Sequence, residues 1–240
     1  MSKQFVAVII VIVLGLVGIF ALTGHKSASN SPSGSTKLSS HIQGKATTGV
    51  TLVEYGDFEC PYCAQYFPTI KAIEQFYGDK ISIQFRNYPL TSIHQNAFAA
   101  ARAAEAASLQ GKFFEMHDLL YENQNAWAGA TDPLTAFSAY AKKIGLKADQ
   151  FKTDYASSKV NDQINADRNE GARLGITGTP TYYLDGKKVQ IANSVEEFKK
   201  LIDAEIAKKA PASGATNPTA PATSAPTTDQ TAVPAPTTGQ

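Results

Sequence analysis

The sequence predicts one α/β domain over residues 41–209, between an apolar N-terminal segment and a polar C-terminal tail. Three patterns support this fold class: a strand–helix–strand unit over residues 50–86, about ninety mainly helical residues after it, and a hairpin followed by a final helix. A strand–helix–strand unit of this kind implies parallel strands joined by a right-handed crossover. A domain of this length can bury a hydrophobic core of its own.

The first segment, residues 1–24, is predicted to anchor the chain in a membrane. Phe5–Leu22 is a run of 18 residues without a charge, and roughly 20 apolar residues cross a bilayer as a helix. A cleaved signal peptide has a shorter apolar core, of about 7–15 residues, with a small-residue cleavage site directly after it. We therefore expect an uncleaved signal anchor that spans the membrane once, with the remainder of the chain outside the cytoplasm. Cleavage near residues 27–29 stays open as the alternative.

Two low-complexity segments flank the domain. Residues 25–40 include seven serines and are predicted to form a flexible linker, because they offer little apolar surface to bury. Residues 210–240 hold six prolines and eight threonines with Asp229 as the only charge, a composition typical of a disordered tail. The tail is either associated with the cell envelope or an inert solubilising extension.

The strand–helix–strand unit is predicted from three adjacent patterns. Residues 50–55 are rich in β-branched and aromatic side chains between two glycines, which indicates a buried strand. Apolar residues then recur at helical spacing up to Tyr77, and Pro68 inside this helix is expected to kink it. Residues 81–86 alternate between apolar and polar side chains, as a second strand does.

The region that follows, at about residues 92–176, is predicted to be mainly helical. Helices are expected over residues 96–109, over residues 113–122, from Asp132-Pro133 to near Lys143, and over residues 160–174. Near the end of the domain, Ser194 and Glu197 match a capping box for a final helix that ends near Lys208.

A hairpin is predicted between the helical region and the final helix. Its strands are residues 181–184 and residues 187–191. The connecting pair, Asp185-Gly186, tolerates the positive φ angles of a type I′ turn.

Composition limits the classes of partner. The chain has 240 residues, of which 43% are apolar and 18% charged, with 22 Lys and Arg against 21 Asp and Glu. This balance excludes a basic nucleic-acid-binding protein and a wholly disordered chain. We expect no nucleic-acid partner.

Cys60 and Cys63 are the only cysteines, and their spacing predicts a redox centre. Two cysteines three positions apart at the start of a helix lie in its first turn, close enough to form a small-ring disulfide. With Pro61 in that turn, free backbone N–H groups and the helix dipole face the Cys60 sulfur. In such settings the thiol pKa falls from about 8.5 to roughly 3.5–7.5. We therefore expect Cys60 to be the accessible nucleophile and Cys63 to be the resolving thiol.

Two other roles for these cysteines stay open. A zinc site needs about four ligands, and the downstream histidines, His94 and His117, match no zinc-binding spacing. A purely structural disulfide would close a very short loop and give little gain in unfolded-state entropy. We interpret both histidines as structural and Tyr121 and Trp127 as core residues, and we expect neither a metal ion nor a bound cofactor.

Four separated motifs occur in the order typical of one known family. They are VTLVEYGDFECPYC at residues 50–63, Tyr88-Pro89-Leu90 with His94 downstream, QGKFFEMHD at residues 110–118, and Gly178-Thr179-Pro180-Thr181. Together they resemble the DsbA-like thiol–disulfide oxidoreductases, and more narrowly the membrane-anchored branch found in many bacteria. The resemblance covers about residues 41–208. It implies a thioredoxin-like fold with an inserted helical domain at about residues 92–176, preceded by a transmembrane helix in a bacterial cell membrane.

The resemblance also assigns residues to the active site. It implies a cis peptide at Thr179-Pro180, beside a centre that Pro61 and Tyr62 also shape. The strongest oxidases of the family carry a histidine between the cysteines, whereas Tyr62 cannot supply a cationic partner to the Cys60 thiolate. We therefore expect a weaker oxidant, since stabilising the reduced form makes an oxidant strong. The Cys-Pro-Tyr-Cys tetrad also occurs in glutaredoxins, but these small cytosolic proteins have neither the anchor nor the helical insertion.

Glu54 is the third predicted catalytic residue. Thioredoxin-fold enzymes similarly place an acidic residue on a buried strand beneath the disulfide. A carboxylate in that position can accept or relay the Cys63 proton. The alternative is that Glu54 lies at a strand edge and faces water.

These features predict an extracytoplasmic thiol–disulfide oxidoreductase, and the resemblance implies an oxidase. Such an enzyme passes its Cys60–Cys63 disulfide to exported polypeptides with free thiols, and a quinone-linked membrane partner reoxidises it. A reductase or isomerase of the same fold stays open as an alternative. So does a chaperone-like, peptide-binding module of the envelope in which the redox centre is incidental.

Overall fold

The computed structural model describes residues 37–210. The predicted anchor at residues 1–24, most of the predicted linker and the tail after residue 210 lie outside this range. Within the described range, no helix combines the length and the apolar character needed to cross a membrane.

Five strands and eight α-helices lie within residues 37–210. The strands are β1 (His41–Gln43), β2 (Val50–Gly56), β3 (Ile81–Asn87), β4 (Thr181–Leu184) and β5 (Lys187–Val189). The helices are α1 (Pro61–Tyr77), α2 (Ala97–Ser108), α3 (Phe113–Glu122), α4 (Gln124–Trp127), α5 (Leu134–Lys143), α6 (Ala148–Tyr155), α7 (Ser158–Arg173) and α8 (Val195–Lys209).

The strands form one mixed sheet in the order β1–β3–β2–β4–β5. β2 and β3 are parallel, with Val50 opposite Ile81, and α1 makes the crossover between them. The other neighbouring pairs are antiparallel. The predicted strand–helix–strand unit is therefore confirmed. Because β2 is the central strand, the loop after Gly56 leaves from the middle of the sheet and carries Cys60 there.

Two hydrophobic clusters account for most of the core. The first joins the sheet to α1 and α8, and its members include Leu52, Ile73, Ile81, Phe198 and Ile202. The second lies between the helical insertion and the loop after β2, and its members include Phe58, Cys60, Cys63, Phe85, Trp127 and Phe137. Both cysteines therefore belong to the part of the core that the insertion builds.

The expected core positions of Tyr121 and Trp127 are confirmed, since both side chains are buried. Tyr121 also explains Gly56, the last residue of β2. A Cβ atom at Gly56 would lie 2.4 Å from the Phe85 ring and 3.0 Å from the Tyr121 hydroxyl. Only glycine lets the insertion approach β2 this closely.

The turn and the helix starts give mixed outcomes. Asp185 and Gly186 have φ angles of 48° and 77°, so the predicted type I′ turn is confirmed. The capping box is wrong, because the Ser194 hydroxyl donates to the Glu196 carboxylate at 2.7 Å and makes no bond to the start of α8. A charged acceptor two residues away forms the stronger hydrogen bond and turns the hydroxyl away from the backbone.

Candidate active site

The two cysteines lie where β2 passes into α1. Cys60 is the N-cap of α1, with an extended backbone (φ −68°, ψ 121°), and Pro61 is the first helical residue. Both thiols are free, so the geometry is that of the reduced form. Cys63 is fully buried and Cys60 is 4% exposed. The predicted order of accessibility is present, but Cys60 is more covered than an openly accessible nucleophile, and the exposed side chain beside it is Tyr62, at 65%.

The two sulfurs have opposite acid–base character. A hydrogen bond from the Cys63 thiol is the largest influence on Cys60, and it lowers the pKa of Cys60 to about 5 against the opposing effect of burial. The Thr179 side chain and the backbone N–H groups of Cys63 and Tyr62 lower this pKa further. The helix start contributes as the sequence predicts, although the partner thiol contributes more.

Cys63 keeps its proton. Burial is the main cause that raises the pKa of Cys63 well above its ordinary value, and the Cys60 thiolate and the Glu54 carboxylate raise it further. At neutral pH the reduced centre therefore consists of a Cys60 thiolate that accepts a hydrogen bond from a Cys63 thiol.

Glu54 lies beneath this pair on the central strand. Its side chain is buried, which excludes the alternative in which it faces water. Desolvation raises the pKa of Glu54 to about 8, and nearby Tyr182 partly opposes this effect. Tyr182 is directly opposite Glu54 in the β2–β4 pair, and its buried hydroxyl has no hydrogen-bond partner of ordinary geometry among the described residues. The site therefore holds a carboxyl group that is largely protonated at neutral pH.

The loop before β4 covers the other side of Cys60. The predicted cis peptide at Thr179-Pro180 is confirmed. The Cys60 sulfur lies 3.3 Å from the Thr179 carbonyl oxygen, to which it donates a hydrogen bond when it is protonated. The Thr181 hydroxyl donates to the Gly178 carbonyl oxygen at 2.7 Å and so holds the loop in shape.

A cavity of about 390 Å³ opens beside this loop, and we call it the loop cavity. It is lined by Tyr62, Tyr66, residues 177–182 and residues 188–191. The structure thus brings Tyr62, Thr179 and Pro180 to one surface next to Cys60, as the resemblance implies.

Sequence reasoning missed the polar contacts of the loop between β2 and Cys60. The buried Asp57 carboxylate accepts hydrogen bonds from the backbone N–H groups of Glu59 (2.8 Å) and Leu90 (2.9 Å) and contacts His94 Nδ1 at 2.7 Å. His94 is structural, as expected, but it acts on the segment that leads to Cys60. No local sequence pattern around Asp57 indicates that it binds His94, because His94 lies 37 residues further along the chain.

With the geometry established, comparison with known proteins identifies the family. Residues 36–204 match the model of a family described as thioredoxin. The chain belongs to this family. The matched range includes Glu54, both cysteines and the Thr179-Pro180 peptide.

Several solved structures share the fold of this chain over most of their own length. A thioredoxin-like oxidoreductase from Silicibacter pomeroyi DSS-3 is 25% identical with a TM-score of 0.58, over 71% of this chain and 92% of that one. BdbD from Bacillus subtilis, in its oxidised form, is 25% identical with a TM-score of 0.60, over 69% and 92%. Alpha-DsbA1 from Wolbachia pipientis, at 23% identity and a TM-score of 0.60, shares the fold. The resemblance to the DsbA-like enzymes is confirmed for the fold, and the solved structures that share it include oxidoreductases.

Curated relatives match this chain over only part of their length. The Na(+)/H(+) antiporter NhaA 3 of Salinispora tropica is 37% identical over 169 residues, which are 70% of this chain and 25% of that protein. NhaA 1 of Mycolicibacterium gilvum is 36% identical over 152 residues, 62% of this chain and 24% of that protein. The chain spans about a quarter of these relatives, so their antiporter name describes proteins that are mostly unlike it.

Proposed function

We propose that this chain is a thiol–disulfide oxidase that acts outside the cytoplasm, tethered by residues 1–24 to a bacterial cell membrane, and that it introduces disulfide bonds into exported polypeptides. The observation that supports the oxidising direction is the opposite acid–base character of the two thiols. A Cys60 pKa of about 5 stabilises the reduced form at neutral pH. An enzyme whose reduced form is stabilised gives up its disulfide readily and so acts as an oxidant.

The reaction begins on the oxidised enzyme. A client thiolate attacks the Cys60 sulfur, the Cys60–Cys63 bond breaks, and its electron pair leaves on Cys63. A second client thiolate then attacks the client sulfur of the mixed disulfide and displaces Cys60 as a thiolate. The client loses two electrons and two protons, and the enzyme gains two electrons and one proton, which ends on Cys63, while Cys60 stays a thiolate and the second client proton goes to solvent. Cys60 is the better leaving group, because a sulfur with a low pKa leaves faster.

Glu54 supplies a proton to the first step. Cys63 leaves into a buried site where a thiolate is strongly disfavoured. The Glu54 carboxyl group, with a pKa of about 8, carries a proton at neutral pH and is close enough to influence Cys63 electrostatically. We assign it as the general acid that protonates the departing Cys63 sulfur. The resulting carboxylate then regains its proton from solvent.

The loop cavity and the Thr179-Pro180 peptide supply a place for the client. An extended client chain can pair with the backbone of this loop as an added strand, which brings its cysteine beside Cys60. The exposed Tyr62 ring offers an apolar contact on the same surface. Reoxidation then passes two electrons from the dithiol to a quinone-linked membrane partner, for which the Phe5–Leu22 anchor would hold the enzyme at the right surface.

The redox state of the pair in living cells tests this function. Acid quenching followed by alkylation of free thiols separates the oxidised and reduced forms of the full chain on a gel. An oxidase is expected to be mainly oxidised at steady state and to become reduced when its membrane partner is lost. A chain held reduced would favour the reductase or isomerase, and unchanged client disulfides after loss of both cysteines would favour the peptide-binding module.

A further inference from the structure

The loop that carries Cys60 is bonded to the helical insertion by one buried side chain. Gln124, the first residue of α4, donates hydrogen bonds from Nε2 to the carbonyl oxygens of Phe58 (2.7 Å) and Cys60 (3.0 Å). The two hydrogen atoms of a carboxamide nitrogen suit two acceptors in this way. Gln124 lies 64 residues after Cys60 in the sequence.

The Cys60 carbonyl oxygen is a sensitive place for such a contact. It also accepts a hydrogen bond from the Ala64 N–H at 3.2 Å, which begins the regular bonding of α1. Two donors from different directions therefore fix the orientation of the peptide unit between Cys60 and Pro61. The N–H groups of Tyr62 and Cys63, which face the Cys60 sulfur, follow directly from this peptide unit.

Gln124 is itself held firmly. The indole N–H of Trp127, at the other end of α4, donates to the Leu120 carbonyl oxygen at 2.9 Å, and the ring is fully buried. The Asn96 side chain donates to the carbonyl oxygens of Ala128 and Ala130, both at 2.9 Å. A donor on a segment fixed at both ends keeps its geometry during a reaction, as a residue that orients another must.

The connection is completed from the opposite direction. The Glu59 carboxylate accepts a hydrogen bond from the Asn96 backbone N–H at 2.6 Å. Asn96 therefore bonds through its backbone to the residue before Cys60 and through its side chain to the residues after α4. The loop and α4 thus form one polar unit beside the sulfur.

We propose that Gln124 is a positioning residue through which the helical insertion sets the reactivity of the Cys60 sulfur. The inference rests on the proposed exchange reaction only in that Cys60 is the sulfur that exchanges. Without the Gln124 donor, the peptide unit after Cys60 loses one of its two constraints, and the N–H groups of Tyr62 and Cys63 align less well with the thiolate. The thiolate then becomes less stable relative to the thiol.

The test replaces Gln124 by a side chain of similar length that cannot donate. Full-length Gln124→Met and wild-type chains, reduced and held in detergent, are compared by the pH dependence of thiolate ultraviolet absorbance and of Cys60 alkylation. The titration midpoint is expected to rise by about half a unit to one unit, which lowers the thiolate fraction at about pH 5 two- to fivefold. Gln110→Met is the matched control, because Gln110 also bonds to backbone groups, those of Lys147, but on the far side of the insertion. It is expected to leave the midpoint unchanged.

Two further measurements keep the outcomes distinct. Gln124→Leu also removes the donor at similar side-chain volume, so it tests the same direction if Gln124→Met fails to fold. An unchanged midpoint in a folded Gln124 variant would overturn the proposal, as would an equal rise in Gln110→Met. Disulfide transfer to a dithiol peptide is measured in parallel. A wild-type chain that transfers no disulfide would count against the proposed function, whereas the midpoints would still decide the role of Gln124.

Discussion

The sheet side and the helical side of the redox centre contribute different things. β2, β4 and the loop before β4 provide groups that affect the pKa values at the centre: Glu54, Tyr182 and Thr179. The insertion provides groups that hold the loop in place: Gln124 bonds to its backbone, and Asn96 and His94 bond to its carboxylate side chains. The difference suggests that the sheet determines which protons move, whereas the insertion determines how well the N–H groups of α1 face Cys60.

The largest expected effect comes from the cysteines, where the two sides meet. Cys63→Ala leaves a nucleophile that joins a client but cannot reform the internal disulfide, so mixed disulfides should accumulate. Cys60→Ala removes the sulfur that the client reaches and should abolish both adducts and transfer. Non-reducing gels of membrane and envelope proteins, with reductant as the control, measure both results. Adducts through Cys63 and none through Cys60 would reverse the assignment of the two sulfurs.

The next effect separates proton transfer from positioning. Glu54→Gln keeps the shape of the side chain but cannot donate an acidic proton, and loss of a general acid typically costs about a hundredfold in rate. Transfer of the enzyme disulfide to a dithiol peptide should slow by about that factor at neutral pH, with little change in client affinity. Stopped-flow mixing of oxidised full-length enzyme with peptide gives both quantities.

The pH dependence of the transfer rate shows whether Glu54 acts as an acid or as a base. Because the pKa of Glu54 is about 8, the wild-type carboxyl group holds its proton below that value and loses it above. The contribution of Glu54 to the transfer rate, taken as the ratio of wild type to Glu54→Gln at each pH, should therefore fall as the pH rises through about 8. A ratio that rises with pH would mean that Glu54 acts as a base instead.

Stability should depend on the redox state. Folding of the reduced chain lowers the pKa of Cys60 from 9.0 to about 5, so the thiolate stabilises the folded state. This contribution to the free energy of unfolding is fully present above about pH 9, the pKa in the unfolded chain, and is lost as the pH falls through about 5. At pH 7 this amounts to about 2–3 kcal/mol in favour of the reduced form. Cys63 adds nothing at that pH, because it is protonated in both the folded and the unfolded chain.

Denaturant unfolding of the oxidised and reduced full chain, from about pH 5 to pH 8, measures this difference. The difference between the two forms in free energy of unfolding should become smaller as the pH falls toward about 5. The double variant Cys60→Ala, Cys63→Ala should show no dependence on reductant. A more stable oxidised form at pH 7 would remove the main support for the oxidising direction.

The sequence predicts the sheet side better than the helical side for a physical reason. Glu54, Cys60 and Cys63 lie on one short stretch whose strand and helix patterns are local, so their relative positions follow from secondary structure. Gln124 and Asn96 reach the loop only because helices of the insertion pack against it, and no local pattern records that packing. The sequence does not predict the short helix α4 or the helix α6, which has Phe151 as its one buried residue.

Helix capping is a second feature that local sequence patterns predict only in part. Ser194 matches a capping box by spacing, yet its hydroxyl bonds to Glu196. Asp132 is predicted to be the N-cap of α5 with Pro133 in the first turn, but the N-cap is Pro133, although the Asp132 carboxylate still accepts a hydrogen bond from the Leu134 N–H at 3.1 Å. Spacing identifies the residues that can cap, but competing acceptors decide which of them do so.

The smallest expected effect tests whether a side chain on the sheet side also tunes Cys60. The buried Thr179 hydroxyl has no hydrogen-bond partner of ordinary geometry among the described residues, but it lies near enough to the Cys60 sulfur to stabilise the thiolate, which lowers the pKa of Cys60. Thr179→Val keeps the shape and removes the hydroxyl, so the Cys60 titration midpoint should rise by about half a unit, equivalent to roughly twofold less thiolate at about pH 5. In the oxidised chain, which has no thiolate to stabilise, the variant should be as stable as the wild type or slightly more stable, since a buried hydroxyl without a partner is lost.

Thr181→Val is the matched control, because its hydroxyl bonds to the Gly178 carbonyl oxygen in the same loop without being a main influence on Cys60. Thr181→Val should lower the free energy of unfolding by about 1 kcal/mol and leave the titration midpoint of Cys60 unchanged. Equal midpoint shifts in the two valine variants would mean that the loop backbone, rather than the Thr179 hydroxyl, acts on the sulfur. A shift in Thr179→Val that adds to the shift in Gln124→Met would instead indicate that the two sides act on Cys60 independently, since contributions from separate contacts add and those from a shared contact do not.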